Sequence, residues 1–308
     1  MQLIIYYIGS IQLGLLYGLM AMGIYITFRI LNIPDLTVDG SFTLGMAVAA
    51  VFTIAGHPFL ALLLATICGA LAGSVTGFLQ TKAGIHPILA GILVMTGLYT
   101  VNLAVMGGKA NLSLFGKMTL FTQLEKLFPS KYSVGKTLIA LTIAVIVIFI
   151  LILFFKTRLG LAIRATGDNE DMVRSSSINA GITKIAGLAL GNACVALTGA
   201  LVSQHQVSAD VGYGKGMVVI GLAAVIIGET ILGKRSVSFG FLTALIGSVI
   251  YYFIRAVVLK YSFFPPYAFN LISALIVAVA LSLPTITSNW KQNKIRKGGA
   301  YAGTKECK

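Results

Sequence analysis

Apolar runs dominate the chain, falling at roughly 3–28, 41–55, 59–80, 86–106, 137–156, 183–205, 217–233, 236–254 and 268–286. They are continuous, without the alternation of a membrane barrel, so each reads as helix. A helix needs about 20 apolar residues to cross a bilayer. The run 41–55 falls short and predicts half of a broken or re-entrant helix. Only a tight turn at Gly233-Lys234-Arg235 separates two later runs. The expected fold is therefore all-α, a polytopic membrane bundle of about 8–10 spanning or half-spanning helices. It forms one domain over residues 1–288, with a disordered basic tail over 289–308.

Composition agrees with lipid as the solvent. Hydrophobic residues make up 57% and charged residues 10%, against about 25% charged in ordinary soluble domains, and the mean hydropathy is +0.92. The net charge of +14 does not point to nucleic acid, because its lysines and arginines lie between apolar runs and in the tail instead of on one basic face. With the tail in the cytoplasm, alternation puts Arg29, Lys82, the 156–184 loop, Lys234 and Arg235 there too, so that 15 of the 23 basic residues lie inside and 8 outside. The 107–136 loop goes against that trend, with Lys109, Lys117, Lys126, Lys131 and Lys136 outside against Glu125 alone. Residues 1–28 lack the basic start of a cleaved signal and read as a retained span.

Catalysis finds little material. His57, His86 and His205 stand apart, and Cys68, Cys194 and Cys307 form no metal-binding spacing. No GxxxxGK[ST] phosphate loop is present. Glycines recur four apart at Gly14/Gly18, Gly69/Gly73/Gly77 and Gly187/Gly191, a spacing that brings helix backbones close.

Two polar stretches break the pattern. In 32–43, Asp35, Thr37, Asp39, Ser41 and Thr43 alternate with apolar residues. If extended, these five form one polar row; if helical, Asp35 and Asp39 share a face. Carboxylates at membrane depth are costly, which marks this stretch as a candidate path or gate. Asp39 and Asp210 each precede a Gly-Met pair by six and seven positions, Gly45-Met46 and Gly216-Met217. This is the mark of inverted repeats beginning on opposite sides of the membrane, with Asp210 as a second path residue.

The other stretch is the loop 157–184. Asp168 or Asn169 is placed to cap a short helix, with Glu170 and Asp171 in its first turn, Arg174 and Ser175 later, and Gly181 at its end. A capped polar helix between two spans is more than a connection needs, and reads as a docking surface.

The run Thr157-Arg-Leu-Gly-Leu-Ala-Ile-Arg-Ala-Thr-Gly-Asp-Asn169, then Ser177-Ile-Asn179 and Lys184-Ile-Ala-Gly-Leu-Ala-Leu-Gly-Asn-Ala193, resembles the branched-chain amino acid and sugar permease family of ABC importers. Ala223-Ala-Val-Ile-Ile-Gly-Glu-Thr-Ile-Leu-Gly233 and Asn32-Ile-Pro-Asp-Leu-Thr-Val-Asp-Gly-Ser41 resemble it in the right order. The resemblance implies a coupling helix carrying Asp168, Asn169, Glu170, Asp171, Arg174 and Ser175. It also implies two cytoplasmic ATPase copies that hold ATP and Mg, a second permease copy in a homodimer, and an extracellular or lipid-anchored binding protein. Lys109, Lys117 and Lys126 are the candidate docking residues for that protein. The pair Asp35 and Asp39 resembles a subgroup for amino-acid-like solutes, aromatic ones among them. The chain itself then needs no cofactor and catalyses nothing, and it resides in a prokaryotic plasma membrane. The competing class, a secondary transporter or channel, would carry charges in mid-span, and Glu229 is the main one visible.

Overall fold

The computed structural model describes residues 2–127, 134–233 and 235–261, with isolated positions between 274 and 282. Apart from those positions, the expected last span lies outside the described residues, as do the basic tail, Lys131 and Lys234. In chain order the elements are α1 (Gln2–Ile24), a π-helical turn (Tyr25–Ile30), α2 (Thr37–Ile54), α3 (Pro58–Thr81), α4 (Pro87–Val105), β1 (Asn111–Ser113), α5 (Leu120–Leu127), α6 (Val134–Phe155), α7 (Arg158–Asp168), α8 (Glu170–Ser175), α9 (Ala180–Gln206), β2 (Ser208–Asp210), α10 (Met217–Leu232) and α11 (Val237–Tyr261). Seven helices among the described residues are long and apolar enough to cross a membrane, and α10 is a shorter apolar helix.

Helix α9 is the spine. Its 27 residues extend about 40 Å at 1.5 Å per residue, and α1, α2 and α3 all pack on it. Small residues make this possible. A Cβ at Gly45 would run into the Ala196 carbonyl, one at Gly199 into that of Phe42, and one at Gly73 into that of Leu188. The predicted spacing at 69, 73 and 77 thus lays α3 against α9. Gly14 serves α11 in the same way, with the Val249 Cα 2.8 Å from where its Cβ would stand.

These contacts fix direction and level. Gln12 meets His205, Gly23 meets Gly191, and Leu31 meets Gly187, so α1 descends along α9. Gln204 Nε2 donates to Pro58 O at 3.0 Å where α3 begins. One end of the bundle therefore holds the β1–β2 ladder, Asn111 opposite Asp210. The other end holds α7, α8, Arg29, Glu229 and Arg235.

One expectation is refined and one is corrected. The short run 41–55 is the visible part of an 18-residue helix that starts at Thr37. It starts beside Asn192, at the middle of α9, and runs to the ladder end. Helix α10 also begins near that level, because Asp39 holds its first residues, and runs the other way, with Gly221 on Ile24 and Glu229 on Arg29. The two similar stretches do not begin on opposite sides. Asp210 stands in the ladder and Asp39 nearer mid-bundle, and the helices that follow, α2 and α10, start close together and run in opposite directions.

Candidate functional site

The chain between α1 and α2 lacks helical hydrogen bonding over 32–36, and its polar groups need partners inside the protein. Asp35, 6% exposed, finds them on two elements. Its Oδ1 accepts from Thr37 N at 2.9 Å, and its Oδ2 accepts from Asn192 Nδ2 at 2.7 Å. Next to it, the Thr37 and Thr76 hydroxyls are 2.7 Å apart and tie α2 to α3.

The polar row does not form. Because 37–43 is helical and Asp35 precedes the helix, the five residues point to different neighbours. Thr37 and Ser41 are fully buried. Asp39 faces α10, its Oδ2 accepting from Gly216 N at 2.8 Å and its Oδ1 from Val218 N at 2.9 Å. A carboxylate suits that helix N-terminus, where backbone N–H groups and the helix dipole converge. Thr43 Oγ1 donates to Asp39 O at 3.1 Å.

Two cavities flank the segment between β2 and α10. The larger, about 880 Å³, runs from Gln206 and Asp210 to Met217 and Ile220, with Tyr17, Tyr213, Tyr252, Lys215 and Arg255 in its walls. The Tyr17 and Tyr252 rings stack at 4.6 Å, Tyr17 also stacks on Phe42 at 5.7 Å, and Arg255 lies 5.1 Å over Tyr252. The smaller, about 260 Å³, is lined by Asp39, Thr43, Tyr99, Asn102, Gly214 and Lys215. Of the predicted path residues, Asp210 thus lines the large cavity and Asp39 and Thr43 the small one. Asp210 is itself held by Asn111 Nδ2 at 3.3 Å and Gly212 N at 2.6 Å. Sequence reasoning missed Tyr17, Lys215, Tyr252 and Arg255, although Arg255 in an apolar helix was a usable signal.

At the opposite end the 157–184 loop folds into two helices. Asn169, not Asp168, caps α8, accepting from Met172 N at 3.0 Å, while Asp168 closes α7. Helix α8 ends at Ser175, whose Oγ donates to Met172 O, and Gly181 lies in the first turn of α9. Asn179 takes that place by capping α9 at Gly181 N and Ile182 N. Glu170 accepts from Arg174 at 2.8 Å and Lys184 at 2.5 Å. The Lys184 contact, with Arg174 adding to it, holds the Glu170 carboxyl below its usual range against the upward push of burial. Val173 is buried and anchors α8, whereas Asp171 and Met172 face outward. Lys109 and Lys117 are exposed at the ladder end. Lys126 belongs to α5, and Lys136 pairs with Glu125 at 3.7 Å.

A bundle of long apolar helices with a broken polar crossing at its centre is a membrane transport protein. Residues 6–281 match the family model described as the permease component of branched-chain amino acid transport systems. The chain belongs to that family, as a permease subunit of the ABC importer type. It is 39% identical over 241 residues to a tyrosine transport system permease protein of Clostridioides difficile, covering 78% of each chain. It is 35% identical to an uncharacterized protein of Rickettsia prowazekii, over 89% of this chain and 96% of that one. A galactofuranose transporter permease protein of Escherichia coli is 28% identical over 80% of this chain and 70% of its own. No solved structure matches.

Proposed function

We propose that this chain forms the path of an ATP-driven importer for an amino acid with an aromatic side chain, passed to it by an extracellular binding protein. The observation that carries the substrate is the large cavity, where stacked tyrosines adjoin charges of both signs, Asp210 against Lys215 and Arg255. An aromatic ring can lie against Tyr213 in the same wall, which is 38% exposed, since Tyr17 is covered by Phe42 and Tyr252, and Tyr252 by Tyr17 and Arg255. A zwitterion's ammonium pairs with Asp210, and its carboxylate with Arg255 or Lys215. The relative named for tyrosine transport favours the same reading, whereas the sugar reading rests on more distant relatives.

In this reading two copies of the chain form a homodimer in a prokaryotic plasma membrane. Their α7–α8 ends face the cytoplasm, with the C-termini, and meet two ATPase subunits through Asp168, Asn169, Glu170, Asp171, Arg174 and Ser175. ATP and Mg bind in those subunits. The ladder end, with Lys109, Lys117 and Lys126, receives the binding protein. The test is uptake by proteoliposomes holding the assembled importer and its binding protein. Labelled tyrosine is expected to enter only with ATP, with phenylalanine competing and ribose not. Uptake without any ATPase, or competition by ribose alone, would overturn the reading.

A further inference from the structure

The α7–α8 end holds a third cavity, of about 310 Å³, apart from the two at the ladder half. Its walls come from five elements: Tyr25 and Arg29 on the π-helical turn, Arg164 on α7, Glu229 on α10, Arg235 in the turn before α11, and Gly240 and Thr243 on α11 itself. Three guanidinium groups and one carboxylate share this small volume, a formal charge of +2. Arg29 is engaged by Glu229, its Nε reaching Oε1 at 2.8 Å and Oε2 at 3.0 Å. Arg235 lies 5.4 Å from the Phe239 ring, and Arg164 and Arg235 are both exposed.

Arginines converge where planar donors must meet oxyanions, and like charges repel unless an anion lies between them. The position also matters. Two residues beyond Glu229 on the apolar helix α10, Ile231 is 59% exposed. The cavity therefore sits where apolar surface gives way to charge, the level at which phosphate groups of a bilayer lie. We infer that this cavity binds a phosphate-bearing anion through Arg164 and Arg235, with the Arg29–Glu229 pair as its floor. The anion then bridges α7 to the α10–α11 turn, linking the docking region to the half-helix whose other end Asp39 holds. An anionic phospholipid headgroup and a soluble phosphate compound share this chemistry.

The site is tested on the full chain purified in mild detergent, by native mass spectrometry and thermal unfolding. The probes are phosphatidylglycerol, phosphatidylcholine and inorganic phosphate. The wild type is expected to retain phosphatidylglycerol over phosphatidylcholine. The Arg164→Gln/Arg235→Gln variant is expected to retain it about thirtyfold less, taking about 1 kcal/mol for each basic group. Both substitutions are exposed and leave the Arg29–Glu229 pair in place. The Arg164→Lys/Arg235→Lys variant, which keeps the charge, should recover part of the binding and shows that a loss is not misfolding. Stabilisation by inorganic phosphate that depends on the same arginines, without lipid preference, supports the site and assigns it to a soluble ligand. Equal retention of both lipids with no phosphate effect, or full binding by the Gln variant, overturns the site. Neither result bears on whether tyrosine is transported.

Discussion

Asn192 carries more than its size implies. Its Nδ2 donates to both Asp35 Oδ2 and Leu188 O, so one amide joins the non-helical crossing to the spine. Losing it leaves a buried carboxylate short of a donor, at a cost of about 1–3 kcal/mol or more for a charged group. Removing both partners should cost less than the two single losses together, because the orphaned group disappears with its donor. Asn192→Ala is therefore expected to lower the unfolding temperature in detergent more than Asp35→Ala/Asn192→Ala does relative to Asp35→Ala. Additive losses across this double-mutant cycle would show that the 2.7 Å contact is not energetically coupled. A neighbouring test concerns the glycines. Gly45→Ala puts a methyl group against the Ala196 carbonyl, and overpacking of this kind costs about 1–3 kcal/mol.

At the level of elements, α2 and α8 each place chemistry that its residues alone do not reveal. Along α2, Thr37 and Ser41 are buried against the bundle, while Asp39 and Thr43 reach a cavity. Single cysteines at 39 and 43 should react with a small polar thiol reagent, while those at 37 and 41 stay protected. Equal reactivity at all four positions would mean that this turn is a surface loop. For α8, the anchor is Glu170. Its carboxyl is held below its usual range, so the attachment to Lys184 is complete at neutral pH and weakens only as pH falls through that lowered value. Being partly exposed, it contributes at most about 1 kcal/mol. Glu170→Lys/Asp171→Lys should thus leave the chain inserted and folded but abolish substrate-stimulated ATPase activity in the assembled importer. Normal stimulation would exclude α8 from coupling.

The same elements show what the sequence could and could not reveal. Spans such as α6 and α9 are plain, since uninterrupted apolar runs have no other solvent than lipid or a bundle interior. The start of α2 was hidden because Asp39, Gly40 and Ser41 lower local hydropathy, yet α10 takes up the Asp39 carboxylate and Asn102 on α4 the Gly40 carbonyl. The α8 cap was narrowed to two residues, and only backbone geometry separates Asn169 from Asp168. Gly181 misled because Asn179 caps the next helix first. Arg255 fell one residue beyond an apolar window; its place over Tyr252 follows from their i,i+3 spacing on α11, and what the sequence does not show is that Tyr17 of α1 stacks on that same ring. The convergence of α2 and α10 needed long-range contacts, which no local pattern encodes.

For the whole molecule, that convergence defines how access could change ends. The large cavity occupies the ladder half, and the segment 211–216 lies between it and the small cavity, with Lys215 lining both. Helix α10 follows that segment and is held at each end by one carboxylate, Asp39 at its N-terminus and Glu229 on Arg29 near its C-terminus. A helix of 16 residues moves as a unit, so either clamp alone restrains it. Each charge-assisted contact is worth about 1.5–3 kcal/mol, and reversing a two-state balance from 1:99 to 99:1 takes about 5.5 kcal/mol. One clamp is too weak to set the state by itself; the two together approach that figure. Asp39→Asn and Glu229→Gln should therefore each leave access at the ladder end, whereas the double variant should shift it to the α7–α8 end. Ile220 reports this, since it lines the large cavity. In a background lacking the native cysteines, Ile220→Cys should react with an impermeant thiol reagent from the ladder face in the parent and both single variants. It should react from the α7–α8 face only in the double variant. Labelling from the ladder face alone in all four proteins would mean that α10 is fixed by its packing on α11, at Gly228 and Gly247, and that its two carboxylates do not govern access.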